Sequence, residues 1–211
     1  MNCPLCRNKN NSFYLKDKKR EYFECPECRL VFVPEKYFLS TEHEKAEYDL
    51  HRNDPSDPEY RKFLSRLFEP MQKYLEPGAC GLDFGSGPGP TLSVIFEESG
   101  YPMDIYDLFY TPDCAVFEKT YDFIVSTETF EHLRNPFYEL ERLWGVLKPG
   151  GIMGAMTQLV IDKERFALWR YKEDMTHIRF FSSNTFKWLA AKWNAKLEFA
   201  DKNAIFLIKQ K

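Results

Sequence analysis

Residues 80–90, CGLDFGSGPGP, read as a short buried strand over 80–85 and a sharp turn into a helix beginning near Thr91. Gly85, Gly87 and Gly89 carry no Cβ, so a ligand can approach the main chain there, with Ser86 between them. The N–H groups that open the following helix favour a carboxylate. Further along, a second strand is predicted around Met103–Tyr106, ending at Asp107, twenty residues beyond Gly87. A carboxylate at that place can accept both hydroxyls of a ribose. Dinucleotide sites use a similar pattern, but their third glycine falls three positions after the second. Here Pro90 holds that position and the glycine comes one residue early, at Gly89, so close pyrophosphate packing is not provided for.

Two later stretches narrow the reading: YDFIVSTETFEHLRNP at 121–136 and LKPGG at 147–151. Between them Phe137, Leu140, Leu143, Trp144 and Leu147 form one apolar helical stripe, which Pro149-Gly150-Gly151 ends before GIMGAMTQL begins a strand. Together with the glycine loop, these stretches resemble the class I S-adenosylmethionine-dependent methyltransferase superfamily over roughly residues 77–211. The Glu131, His132 and Pro136 of E-H-x-x-x-P carry part of that likeness. The resemblance implies a Rossmann-like α/β sheet whose last strand is antiparallel. It places Asp83, Gly85, Ser86, Gly87 and Gly89 at the methionine portion of S-adenosylmethionine, Asp107 at its ribose, and Thr127 and Glu128 at the next strand end. Asp83 has a second reading as a carboxylate that braces the loop.

The chain departs from the family in one respect. Only 13 residues separate Asp107 from Tyr121, too few for the helix, strand and helix usually inserted there, so the sheet is expected to be shortened in its third-strand region. Adenine would then be held by apolar packing, with Asp113 as a candidate partner.

After the GIMGAMTQL strand comes FALWRYKEDMTHIRFFS, residues 166–182. Methyl transfer is an in-line displacement on a sulfonium, so the protein chiefly aligns the acceptor and excludes water, with a base where the acceptor holds its proton. His132 and His177 are the candidate catalytic bases, and each also has a purely structural reading. Trp169, Tyr171, Asp174, Thr176 and His177 resemble a stretch found in a bacterial subgroup of methyltransferase-like proteins, and Trp169, Tyr171 and Asp174 are candidate acceptor-side residues. Phe186, Leu189, Ala190 and Trp193 predict a last helix, followed by a hairpin of AKLEF and AIFLIKQ.

At the other end of the chain, Cys3 and Cys6 in CPLC face Cys25 and Cys28 in CPEC across 18 intervening residues. Two such knuckles suit a tetrahedral ion, and four thiolates leave no open coordination position. Residues 1–35 therefore resemble a zinc ribbon with a structural zinc, its short strands flanking a charged KDKKRE turn. The basic run from Lys16 to Arg20 is expected to be a solvated hairpin tip. Residues 36–76 form a helical linker or lid: NDPSDP breaks the chain, and an amphipathic helix follows from Tyr60 until Pro77-Gly78 stops it. Tyr48 and His51 share a helical face there and either cover the cavity as acceptor-side residues or pack on the core. The third division, residues 77–211, is the methyltransferase domain.

Composition agrees with a globular enzyme, 44% of residues being hydrophobic and 17% aromatic, while a net charge of −3 gives no general attraction for polynucleotides. The start MNCPLCRNKN is not a signal peptide and no apolar run approaches the roughly 20 residues of a membrane span, so a cytoplasmic location is expected. Methylation of a small molecule is the favoured reading. The alternatives are an RNA or protein acceptor presented by the ribbon, and a noncatalytic cofactor-binding scaffold.

Overall fold

The structure is a computed structural model describing residues 1–50 and 53–211. The N-terminal region forms β1 (Ser12–Lys16), β2 (Glu21–Glu24) and β3 (Val31–Phe32), joined antiparallel. The linker holds α1 (Thr41–Tyr48) and α2 (Pro58–Met71). Ser40 and Asp57 cap the two helices through side-chain oxygens, and Pro58 sits in the first turn, where its missing N–H costs no helical bond.

The main sheet follows the expected alternation: β4 (Gly81–Phe84), α3 (Thr91–Glu98), β5 (Met103–Tyr106), β6 (Tyr121–Thr127), α4 (Pro136–Val146) and β7 (Leu147–Met156). After α5 (Lys163–Ala167) and β8 (Arg179–Phe180) come α6 (Ser183–Lys192), β9 (Lys196–Phe199) and β10 (Ala204–Ile208). Six strands lie in the order β5-β4-β6-β7-β10-β9. The first four are parallel, while β10 runs antiparallel to both β7 and β9. This is the Rossmann-like sheet with an antiparallel final hairpin that the resemblance implied. Between β5 and β6 the described residues hold only a 3-10 turn over Cys114–Glu118, so β5 is the sheet edge and the third strand is missing, as the short spacing required.

One boundary differs from expectation. The helical stripe stops at Val146, and Leu147 already pairs with Tyr121, so LKPGG is a bulge within β7 rather than a turn before it. The register passes from Tyr121↔Leu147 to Phe123↔Ile152, and Gly150 takes φ +79° to accommodate the extra residues.

Each face of the sheet has its own core. On one side Leu64, Leu67 and Met71 of α2 and Leu92 and Phe96 of α3 pack over Phe123, Val125, Ile152 and Phe206. On the other, Leu140 and Leu143 of α4 and Phe186 and Leu189 of α6 cover Leu82, Ile124, Met153 and Ile205. Leu5, Leu30 and Phe32 belong to this second cluster, so the N-terminal region shares a core with the sheet. The union extends to the backbone: β8 pairs with β3 as a fourth strand, with Val31 opposite Phe180 and Phe32 opposite Arg179. Among the described residues no helix is long and apolar enough to cross a membrane.

Lys16, Lys18 and Lys19 of the basic run are exposed as expected of a solvated tip, and Arg20 alone departs from that reading. Asp17 accepts from the amides of Lys19 and Arg20, which closes the turn and directs Arg20 inward to 1% exposure. Its guanidinium donates to the carbonyls of Lys172, Asp174 and Met175, and Lys172 in turn reaches Asp17 at 3.0 Å.

Candidate active site

A cavity of about 600 Å³ opens at the carboxyl ends of β4, β5 and β6, where parallel α/β sheets receive ligands. Asp83, Gly85, Ser86, Gly87, Gly89, Asp107, Thr127 and Glu128 all line it, together with Tyr48, His132, Tyr171, Asp174 and His177. His51 lies outside the described residues.

The glycine loop is more self-engaged than its sequence suggests. Gly85 (φ +78°) and Gly87 (φ +67°) adopt the left-handed region that other residues resist. The amides of Gly85 and Ser86 donate to the Tyr106 carbonyl, and that of Gly87 donates to Asp107 Oδ2 at 2.9 Å. Part of the space left by absent Cβ atoms is filled by the chain itself. A Cβ on Gly85 would meet Thr129 at 2.3 Å, and one on Gly89 would meet the Asn53 carbonyl at 2.0 Å. The Asn53 carbonyl also accepts from the Thr91 hydroxyl, so the linker closes over the loop from outside.

Asp107 ties two loops together. While Oδ2 takes the Gly87 amide, Oδ1 accepts from the amides of Phe109 and Tyr110, which leaves one lone pair, on Oδ2, for a ligand's hydroxyl. Asp83 is 2% exposed and accepts from the Ser93 hydroxyl at the start of α3. Burial, reinforced by the nearby Asp107 charge, pushes its carboxyl up to about 7. Ser86 Oγ is buried with no hydrogen-bond partner among the described residues, a polar atom placed for a ligand.

The far end of the cavity gathers side chains from several distant segments. Glu128 leaves β6 at φ +48° and lines the cavity, and Glu131 lies fully buried behind it. The Tyr171 hydroxyl donates to Glu131 and lies 3.3 Å from Glu128 Oε2, while the Thr157 hydroxyl donates to the other Glu131 oxygen at 2.9 Å. Burial raises both carboxyls above the ordinary range, and for Glu131 the Glu128 charge adds to it. His132 and His177 stand with ring centroids 4.7 Å apart. His132 Nδ1 contacts the Thr176 carbonyl at 3.2 Å, and His177 Nδ1 contacts the Tyr171 carbonyl at 2.7 Å. A carbonyl only accepts, so each Nδ1 carries a proton.

Helix α1 lies beside this end. Glu44 receives the Arg134 guanidinium at 2.6 Å, the Tyr110 hydroxyl donates to Asp49 at 2.7 Å, and the Tyr48 ring meets His132 edge-on at 5.2 Å.

A family profile described as a methyltransferase domain matches residues 50–198, most of the chain. The chain belongs to this methyltransferase family. Solved structures similar to the methyltransferase include the plantazolicin methyltransferase BpumL in complex with a monoazolic desmethylPZN analog and SAH. It shares 16% identity at a TM-score of 0.50, over 81% of this chain and 90% of that one. An O-methyltransferase family protein from Burkholderia thailandensis shares 14% identity at a TM-score of 0.51, over 83% of this chain and 61% of that one. At these identities the likeness is one of fold. No curated protein sequence matches the chain.

Two candidate residues of the methyltransferase do not line its cavity. Trp169 stacks behind Tyr171 at 4.9 Å and donates to Gln158, supporting the tyrosine from outside. Asp113 caps the 3-10 turn by accepting from the Ala115 amide. Conversely, Asn53, Thr157 and Glu131 were not singled out as site residues. Only Glu131 carried a sequence signal, standing beside His132 and three residues after Glu128.

In the N-terminal region all four cysteine sulfurs lie within 4.8 Å of one another. Cys3 and Cys28 are 3.5 Å apart and Cys6 and Cys25 are 3.3 Å apart, far beyond the roughly 2.05 Å of a disulfide.

Proposed function

We propose that the cavity binds S-adenosylmethionine along the glycine loop and that the enzyme transfers the methyl group to a small molecule admitted between α1 and residues 171–177. The observation that carries this reading is the continuity of one cavity from the glycine loop and Asp107 to the two histidines. Its volume falls within the usual range for small-molecule sites, about 300–1,000 Å³. The donor set fits the cofactor: Ser86 Oγ lacks a partner among the described residues, and Asp107 Oδ2 retains a lone pair for a ribose hydroxyl. Asp83 braces the loop through Ser93, and Thr127 and Glu128 contribute the adjoining wall.

When bound, the cofactor supplies an electrophilic methyl on a sulfonium. The chain's own part is to align the acceptor against it and to exclude water. The rings of Tyr48, Phe109 and Tyr171 face the acceptor, and His132 or His177 can take its proton. A small acceptor is favoured over a polynucleotide because the basic run gives up Arg20 to main-chain carbonyls and Lys16 to Glu21. We further propose that Cys3, Cys6, Cys25 and Cys28 hold a structural zinc, since the sulfur separations approach the roughly 3.8 Å expected around one tetrahedral ion with bonds of about 2.3 Å.

Calorimetry with S-adenosylmethionine and its demethylated product tests the cofactor: the absence of binding by either overturns the reading. Labelled cofactor with fractionated cell extract then tests the acceptor. Label in low-mass compounds supports the proposal, and label confined to RNA or protein overturns it. Metal analysis of the purified chain is expected to find one zinc, with its loss by chelation exposing four alkylatable thiols.

A further inference from the structure

We propose that Glu131, His132 and His177 bind one divalent first-row metal ion at the acceptor end of the cavity, with Glu128 as an additional oxygen donor, and that the ion receives a hydroxyl-bearing acceptor. This deepens the proposed function and rests on it for the methyl donor. One ligand atom from each of the three residues lies within 4.8 Å of the others. Two atoms each about 2.1 Å from a shared ion stand about 3 to 4 Å apart, so a small contraction closes the set.

Three further observations separate this cluster from an ordinary buried network. First, each imidazole sets Nδ1 against a main-chain carbonyl, the outer-shell bond that metal-binding histidines usually make. Second, Glu131 is fixed by the hydroxyls of Thr157 and Tyr171, one on each oxygen. A carboxylate held in this way beside a second carboxylate, Glu128, is in a place that a cation stabilises. Third, His132, His177 and Glu128 line the cavity while Glu131 lies behind its wall, so remaining coordination positions face the acceptor. Asp174 Oδ2, 3.7 Å from His177 Nε2, adds negative charge at the rim.

Nitrogen and carboxylate donors of this kind suit manganese, iron, cobalt or zinc, whereas the four thiolates of the ribbon select zinc. A metal-bound hydroxyl loses its proton more readily. The acceptor oxygen then bonds to the methyl carbon and the carbon–sulfur bond breaks, its electron pair staying on sulfur to give the neutral thioether. With both imidazoles ligating, the ion takes over the proton-releasing role assigned to the histidines in its absence, and the proton passes to solvent. The substrate class is therefore an alcohol, phenol or enol small enough for the cavity.

The test is manganese binding to the intact, zinc-replete chain, read by loss of the free-ion electron paramagnetic resonance signal, with S-adenosylmethionine affinity measured on the same samples. The expected result is one manganese per chain, with nitrogen hyperfine coupling. His132→Ala and His177→Ala should weaken binding by about tenfold or more, while cofactor affinity stays within about twofold. Glu131→Gln and His177→Gln keep the shape of the side chains and serve where an alanine variant fails to fold. The proposal is overturned if chain that binds the cofactor takes up no manganese, or if uptake survives replacement of both histidines. Manganese held through these residues by a chain that does not bind S-adenosylmethionine supports the metal site and removes the donor reading instead.

Discussion

The two ends of the cavity are built in opposite ways. At the glycine loop, the positioning groups come from one βαβ unit: Asp83, the loop of 85–89, Ser93 and Asp107, joined by bonds such as Gly87 to Asp107. At the other end, Tyr48, Glu131, His132, Tyr171 and His177 arrive from three separate stretches, and the last of these is held by a fourth, the ribbon, through Arg20. A locally built end inherits its geometry from strand, turn and helix. An assembled end depends on every contact that holds the pieces together, which gives the N-terminal region a positioning role without a residue in the cavity.

That contrast can be broken experimentally. The largest effect is expected from Arg20→Ala, which removes the hydrogen bonds to the carbonyls of Lys172, Asp174 and Met175 at a cost of about 3 kcal/mol. Urea unfolding should register the loss, and turnover should fall at least about tenfold while calorimetric cofactor affinity stays within about twofold. An equal fall in cofactor affinity would show that the ends are not independent. Gly89→Ala should do the reverse. Its Cβ meets the Asn53 carbonyl at 2.0 Å, so the linker must shift, for about 1–3 kcal/mol, and cofactor affinity should drop about tenfold. Metal binding at the far end should be unchanged.

A pH series sharpens the comparison further. Asp83 has a folded-state pKa raised by burial from 3.8 to about 7, so the fold favours its protonated form. Its contribution to stability is fully present below about pH 4 and is lost as pH rises through about 7, with a slope of up to about 1.4 kcal/mol per pH unit between. In denaturant titrations of the ligand-free protein, Asp83→Asn should flatten that portion of the curve; an unchanged slope would assign it to other groups. The smallest effects belong to Cys80→Ser and Cys114→Ser. Both cysteines are exposed and lie outside the four-sulfur cluster, so each should move stability by less than about 0.5 kcal/mol.

Legibility in the sequence follows the same division. The order of strands and helices, the missing third strand and the final hairpin could be read because each rests on spacing or periodicity within a few tens of residues. The LKPGG segment could not be placed so closely, since a Pro-Gly-Gly run marks a turn or a bulge equally well, and only pairing of Leu147 with Tyr121 makes it a bulge. Trp169 was drawn toward the acceptor by its neighbours in the aromatic stretch, yet it stacks behind Tyr171, because composition does not say which ring faces inward. The run from Lys16 to Arg20 looked like a solvated tip because charge is ordinarily exposed. Asp17 turns one of its members inward to carbonyls more than 150 residues away.

The sequence by itself determined the fold and the glycine-loop end of the cavity, because a glycine loop between a strand and a helix, with an acid twenty residues on, is local chemistry with few alternative geometries. It also determined the cysteine cluster, whose two C-x-x-C turns preform the halves of a site. Tertiary structure alone decided that β8 completes the ribbon sheet, that Asn53 closes over Gly89, and that Glu131, His132 and His177 meet. Those contacts join residues separated by about 30 to 150 positions, and their geometry is set by how the packed layers meet rather than by any pattern along the chain.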